Sequence, residues 1–196
     1  MPAFDLRGIR IAKYNNASGT VTYGTPKSAG EAMTANLELR FAEGRLYAES
    51  SLAEYIKKAI GGTISLGTKY IPTDAQTDMY GVTETTHTVG EKQVKGIAHR
   101  GDDTPGYVGV MFYAPDMIDG VEKITCVFVS RALFGPPSYV YQTAGESITF
   151  QTPTTTGEFL PDNTTNKNLF EVAVVDDVET AIAWGDLMFG YTQEES

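Results

Sequence analysis

A mostly β chain, a sandwich or barrel with one short helix and a second helix flanking its C-terminal end, is the fold class that three features of the sequence predict. The first is residues 107–131, where the apolar runs YVGVMFY and VEKITCVFVSR are separated by a short turn-forming segment at 114–120. Side chains alternate along a strand, so Val121, Lys123, Thr125, Val127 and Val129 share one face and Glu122, Ile124, Cys126, Phe128 and Ser130 the other. Both faces are apolar at their middle, so the hairpin requires cover above and below. The second feature is a series of roughly eight to ten short alternating segments separated by turn residues, as in a sandwich. The third is the stretch 176–189, whose Asp176 and Glu179 suit a capping box and whose Val178, Ala181, Ile182, Met188 and Phe189 form an apolar stripe.

Taken in order, residues 8–14 alternate Ile9 and Ile11 against Ala12 and Tyr14, a first strand, with a turn expected at 15–19 and a short strand at 20–23. Residues 24–30, containing Pro26 and Ser28, have the composition of an exposed loop and are a candidate contact arm. Residues 33–39 place Met33, Ala35, Leu37 and Leu39 on one face, a half-buried strand, and 41–47 is expected to turn near Gly44. Residues 51–60 fit either a strand or one face of a helix, because Leu52, Tyr55, Ile56, Ala59 and Ile60 recur at helical spacing.

Gly61 and Gly62 punctuate the chain before the strand TISLGTKY, with Ile64 and Leu66 on one face. Thr73 and Gln76 suit a capping box and Gly81 a helix end, giving a short helix over 73–80. Residues 82–106 are polar and weakly periodic, a loop with one strand around 93–99. After the central hairpin, Gly135, Pro136 and Pro137 break the ladder, since proline has no N–H to donate. Residues 138–145 make a second excursion, and 147–151, 154–160 and 169–175 are further strand candidates.

The 196 residues suit one domain, long enough to bury roughly 70% of the surface that the unfolded chain exposes. A formal net charge of −10 argues against gripping nucleic acid, because affinity for phosphates comes mainly from Lys and Arg. The lone Cys126 lies in an apolar strand and reads as a buried hydrophobe, so no internal disulfide is expected. No run approaches the ~20 apolar residues of a membrane span, and a soluble, reducing compartment is expected.

Chemistry is hard to find. His87 and His99 are the only histidines and have no carboxylate at a helical ligand spacing; Asp102 and Asp103 read as a solvated acidic turn. No phosphate-cradling glycine loop or nucleophile elbow occurs, so no cofactor, metal or catalytic residue is expected. The sequons at Asn16 and Asn163 read as chance in a chain without a secretory signal.

The phrases LYAESSLAEYIKKAIGGTISLG, AQTDMYG, YVGVMFY, ITFQTPTTTGEF and ETAIAW, in that order over nearly the full length, resemble the major tail proteins of long-tailed phages of the phi13 type. Gly185 and the acidic tail at 193–196 depart from that pattern and put the length of the last helix in question. The resemblance favours extended strand over 52–58. It implies a virion protein, made in the host cytoplasm, whose hexameric rings stack into a tail tube around a tape-measure protein, with a tail terminator and a distal tail protein as neighbours. DNA would pass without specific binding. Six copies would carry about −60 in formal charge, with a field confined by screening to roughly 8–10 Å.

On that reading, contacts between rings fall on Gly24, Thr25, Pro26 and Lys27 in the first loop, and on Phe134, Pro136, Pro137, Tyr139 and Tyr141 around the second. Glu38, Glu43 and Glu49 are the acidic candidates for the lumen wall. Three alternatives remain: a tube of a related secretion system; a monomeric acidic binding module with Tyr139 and Tyr141 as an aromatic platform; and a cupin-like enzyme with His87 or His99 at a metal.

Overall fold

The computed structural model describes residues 5–17, 19–48, 51–141, 143 and 152–192. Strand makes up 59% of the described residues and helix 12%, so the mostly β expectation holds. The elements in chain order are β1 (Arg7–Ala17), β2 (Thr20–Tyr23), β3 (Lys27–Ser28), β4 (Ala32–Ala48), β5 (Ser51–Thr68), α1 (Thr73–Tyr80), β6 (Thr83–Val89), β7 (Lys92–Ala98), β8 (Tyr107–Ile118), β9 (Val121–Phe134), β10 (Thr154–Phe159), β11 (Phe170–Val175) and α2 (Val178–Phe189).

Among the described residues nine strands form one antiparallel sheet in the order β2-β1-β8-β9-β10-β5-β4, with β3 added to β1 and β11 to β9. Among the same residues β6 and β7 pair only with each other. The sheet curls: β1 and β4 lie far apart in its hydrogen-bonded order, yet both contribute to the main core. That core joins Ile9 and Ile11 to Val108, Val110, Val129 and Phe159, and to Ile64 and Leu66, capped by Ala75 and Met79 of α1.

A second core lies on the opposite face, where Ala12, Met111, Cys126 and Phe128 meet Ala181 and Phe189 of α2. The Phe128 and Phe189 rings sit edge to face at 5.0 Å, and Tyr23 packs against both. Arg10 on β1 reaches Asp186 on α2 at 2.5 Å, tying chain positions 176 residues apart. Gly185 gives this packing room, since a Cβ there would lie 2.8 Å from the Met111 side chain.

The central hairpin has the expected faces, with Val127 and Val129 toward the main core and Ile124, Cys126 and Phe128 toward the second. Its turn is shorter than expected. β8 runs on through Pro115 to Ile118, and only Asp119 and Gly120 turn, both at positive φ. Such an Asp-Gly pair closes a tight hairpin whose twist matches its strands.

Several other expectations are corrected. β4 continues straight through Gly44, which pairs with Ile56. Gly61 and Gly62 lie within β5 rather than ending an element, and residues 51–60 are strand, as the resemblance favoured for 52–58. Residues 83–98 form the β6–β7 hairpin: β7 is the strand expected around 93–99, while β6 stands where a loop was expected, since a Thr-rich strand with both faces wet carries no apolar alternation to reveal it. β1 extends to Ala17, beyond the expected turn start. The helix caps shift by one residue. Pro72 precedes α1, with Gln76 donating to the Ile71 carbonyl, and Asp177 caps α2 by accepting from the Thr180 N–H at 2.7 Å. The strand expected at 147–151 lies outside the described residues.

Candidate functional site

The feature that stands apart from this packed body is the outer part of the β4–β5 hairpin. β10 pairs with β5 over Gly62–Gly67, so beyond that point, among the described residues, the ribbon at 41–60 has no strand beside it except its own partner. The departure is built into the backbone. Pairing slips between Arg40 and Phe41, leaving Ile60 as the extra residue of a bulge, and Gly61 takes φ 144°. At Gly62 the chains approach so closely that a Cβ would lie 2.1 Å from the Glu38 carbonyl and 2.4 Å from the Phe159 ring. From Phe41 to Ala48 the arm spans ~25 Å at the usual rise per residue.

Residues paired across the ribbon share a face. One face carries Phe41 with Ala59, Glu43 with Lys57 and Arg45 with Tyr55. Its charges are matched internally. Lys57 Nζ lies 3.2 Å from Glu43 and 4.3 Å from the centre of the Phe41 ring, while the Arg45 guanidinium lies 5.5 Å from the Tyr55 ring. The Lys57 ammonium and then the Tyr55 hydroxyl hold the Glu43 carboxyl below its ordinary range.

The other face carries Ala42 with Lys58, Gly44 with Ile56 and Leu46 with Glu54. Leu46 is 58% exposed and Ile56 66%. Lys58 makes no ion pair among the described residues. A two-stranded ribbon on its own is marginal in water, and one that is apolar on both sides is a surface waiting for cover.

The expected contact residues fare unevenly. Gly24, Thr25, Pro26 and Lys27 do not form a projecting arm: β3 pairs with β1, Lys27 Nζ bonds Asp78 at 2.6 Å, and buried Ala29 donates to the Ile9 carbonyl. Only Thr25 of the four is exposed. Phe134 belongs to the main core, because a bulge in β9 between Val129 and Ala132 moves Ala132 and Phe134 onto the face that Val129 shares, and Pro137 is buried. Pro136, Tyr139 and Tyr141 are exposed, with the two tyrosine rings stacked at 6.2 Å and Tyr141 85% accessible. Glu38 and Glu43 are an odd number of residues apart on one continuous strand and so point to opposite faces; Glu49 lies outside the described residues.

His87 on β6 and His99 beyond β7 are exposed, and among the described residues no three metal-ligating side chains are gathered. Asp103 accepts from the Arg100 N–H at 2.6 Å and so closes its own turn. Cys126 is fully buried, which pushes its thiol pKa up. Sequence reasoning missed Leu46, Tyr47, Tyr55 and Ile56 as surface groups. The available signal was two adjacent alternating runs, each apolar on both faces, with Glu43 and Lys57 placed to pair. Compared with known proteins, the chain matches no family model and no curated protein.

Proposed function

We propose that this chain is a non-enzymatic structural subunit that associates with copies of itself, and that its assembly is the tail tube of a long-tailed phage. The observation that supports self-association is the β4–β5 arm, whose Phe41, Leu46, Tyr47, Tyr55 and Ile56 are left open to solvent on two faces. Among the described residues no strand pairs the outer edge of β4, and a neighbouring copy that covers arm and edge turns an aggregation hazard into an interface. The phage reading rests on the ordered phrases of the sequence and on a net charge of −10, which suits a conduit that must not hold a polyanion.

The test is light scattering coupled to gel filtration, followed by negative-stain microscopy of concentrated, seeded and unseeded protein. Rings or stacked tubes are expected. A strictly monomeric species under every condition overturns the proposal. One observation favours a second reading, the stacked and exposed Tyr139 and Tyr141 pair, which has the form of a sugar-binding platform. A monomer whose tyrosine fluorescence titrates with oligosaccharide would support that reading instead.

A further inference from the structure

β5 and β10 part at Gly62, and a hollow opens between them. The last pair is Phe159 with Gly62; the Leu160 N–H then turns to the Arg131 carbonyl, and Pro161, next in line to face Ile60, has no N–H to prolong the ladder. The hollow is open and has a volume of 410 Å³. Ala59, Ile60, Pro161 and Leu169 are its apolar lining, and Lys58 from β5 and Lys167 from the loop after β10 are its charged lining.

That loop is built by its own contacts. Asp162, 6% exposed, accepts at Oδ1 from the Thr164 N–H at 3.1 Å, the Thr164 hydroxyl at 2.6 Å and the Asn168 N–H at 3.0 Å. Tyr14 and Arg131 both hold Asn163, and Lys167 sits at φ 51° with its N–H on the Thr164 carbonyl. The carboxylate of the loop is thus spent on the turn that presents Lys167.

The two lysines are unanswered. Among the described residues neither has a carboxylate within ion-pair distance. Glu43 takes Lys57 on the other face of the arm, and Glu54, on the face of Lys58, stands four residues along the strand, ~13 Å away. A chain of net charge −10 therefore holds a hollow lined by two positive charges and no carboxylate. Residues 193–196, outside the described residues, read Gln-Glu-Glu-Ser and carry the complementary charge. They follow Tyr191, which packs on the second core, whereas Leu169 of the hollow packs on the main core across the central hairpin.

We propose that this hollow binds the acidic segment 193–196 of a second copy, with Glu194 and Glu195 at Lys58 and Lys167. Side chains of adjacent residues in an extended segment project to opposite sides, so each glutamate meets one wall of the hollow. The apolar lining suits a peptide better than a bare phosphate. This rests on the self-association reading above and adds to it a contact outside the arm. Donor and acceptor are different surfaces of one chain, so the contact is head to tail and repeats around a ring or along a helix.

Two measurements test this. Unlabelled and heavy-isotope-labelled protein are mixed, concentrated and coupled with a zero-length carbodiimide, which joins carboxylates to lysine amines. Mass spectrometry of the digest is expected to find Lys58 or Lys167 joined to Glu194 or Glu195 across the two isotopes. Such links confined to one isotope, or none, overturn the proposal. Separately, Lys58→Glu with Lys167→Glu is expected to raise the concentration needed for assembly by roughly threefold or more, and adding Glu194→Lys with Glu195→Lys to restore it. Lys92→Glu with Lys95→Glu, the same change of charge on β7, is expected to leave assembly as it was; an equal rise there would make the effect one of net charge and overturn the proposal. If the wild type assembles without these links and without rescue, the hollow is not the seat while self-association stands. If the wild type stays monomeric throughout, both fall.

Discussion

The hairpins β8–β9 and β4–β5 share a topology and differ in everything that surrounds them. Each is a long antiparallel pair interrupted by bulges, and each is apolar on both faces. β8–β9 is covered by α2 on one side and by the curled sheet with α1 on the other, so Met111, Cys126, Phe128 and Val129 exclude solvent almost fully. Among the described residues the outer β4–β5 ribbon has neither cover. The same sequence pattern thus produces a buried core where the chain supplies its own cover and an exposed apolar surface where it does not. Burial is a property of the neighbours as much as of the strand.

The sharpest way to break this contrast is to remove an equivalent amount of apolar volume from each hairpin. Phe128→Ala opens a cavity between β9 and α2 and is expected to cost about 3–5 kcal/mol in urea unfolding. Ile56→Ala, on the arm, is expected to stay within about 0.5 kcal/mol of the parent in the same assay on the monomer. Comparable losses at the two sites would mean that the arm is covered within its own chain.

A smaller effect is expected from two glycines of one strand pair. Gly62→Ala drives a methyl group into the Glu38 carbonyl and the buried Phe159 ring, and is expected to cost about 1–3 kcal/mol by thermal or urea unfolding. Gly44→Ala, with no atom within 4 Å of its added Cβ, is expected to be neutral within about 0.5 kcal/mol. The root of the arm belongs energetically to the body and its outer part does not; equal effects would remove that boundary.

How far the sequence could be read follows the same boundary. The faces of β9, of β1 and of residues 63–68 were legible because each alternation points into a core, and that core selects the residues. Outside the cores the signals mislead. Gly44 reads as a turn, although it sits opposite Ile56 in an unbroken ladder, and the Gly61-Gly62 pair reads as a stop, although it builds a bulge. The loop containing Lys27 reads as free because nothing local announces Asp78 on α1. Phe134 reads as a surface group because Gly-Pro-Pro follows it, yet it closes the main core. The Arg10 and Asp186 pair spans 176 positions and is invisible without the fold.

Replacing Leu46 and Ile56 together by serine separates the two roles further. Monomer unfolding is expected to change by no more than about 1 kcal/mol, the sum of two exposed substitutions, while the concentration required for assembly rises by roughly tenfold or more. Gel filtration over a dilution series reads the second quantity. Unchanged assembly would detach the arm from it.

The smallest expected effect concerns pH and compares one carboxylate from each region. Asp177 caps α2, the helix that covers β8–β9; the Thr180 backbone N–H, then the Thr180 hydroxyl, hold its pKa below the ordinary value. A group whose folded pKa is depressed contributes stability that is present above its unfolded pKa, near 3.9, and lost as pH falls through the folded value. The melting temperature should therefore decline over that acid window, and Asp177→Asn should flatten this part of the profile while leaving the neutral region nearly unchanged, since asparagine also caps well. Glu43 is likewise depressed, by Lys57 first, but it bridges only the two strands of the arm. Glu43→Gln should therefore leave the melting profile of the monomer in place and speed amide exchange only along 41–60. A global shift from Glu43→Gln would show that the arm folds as part of the core.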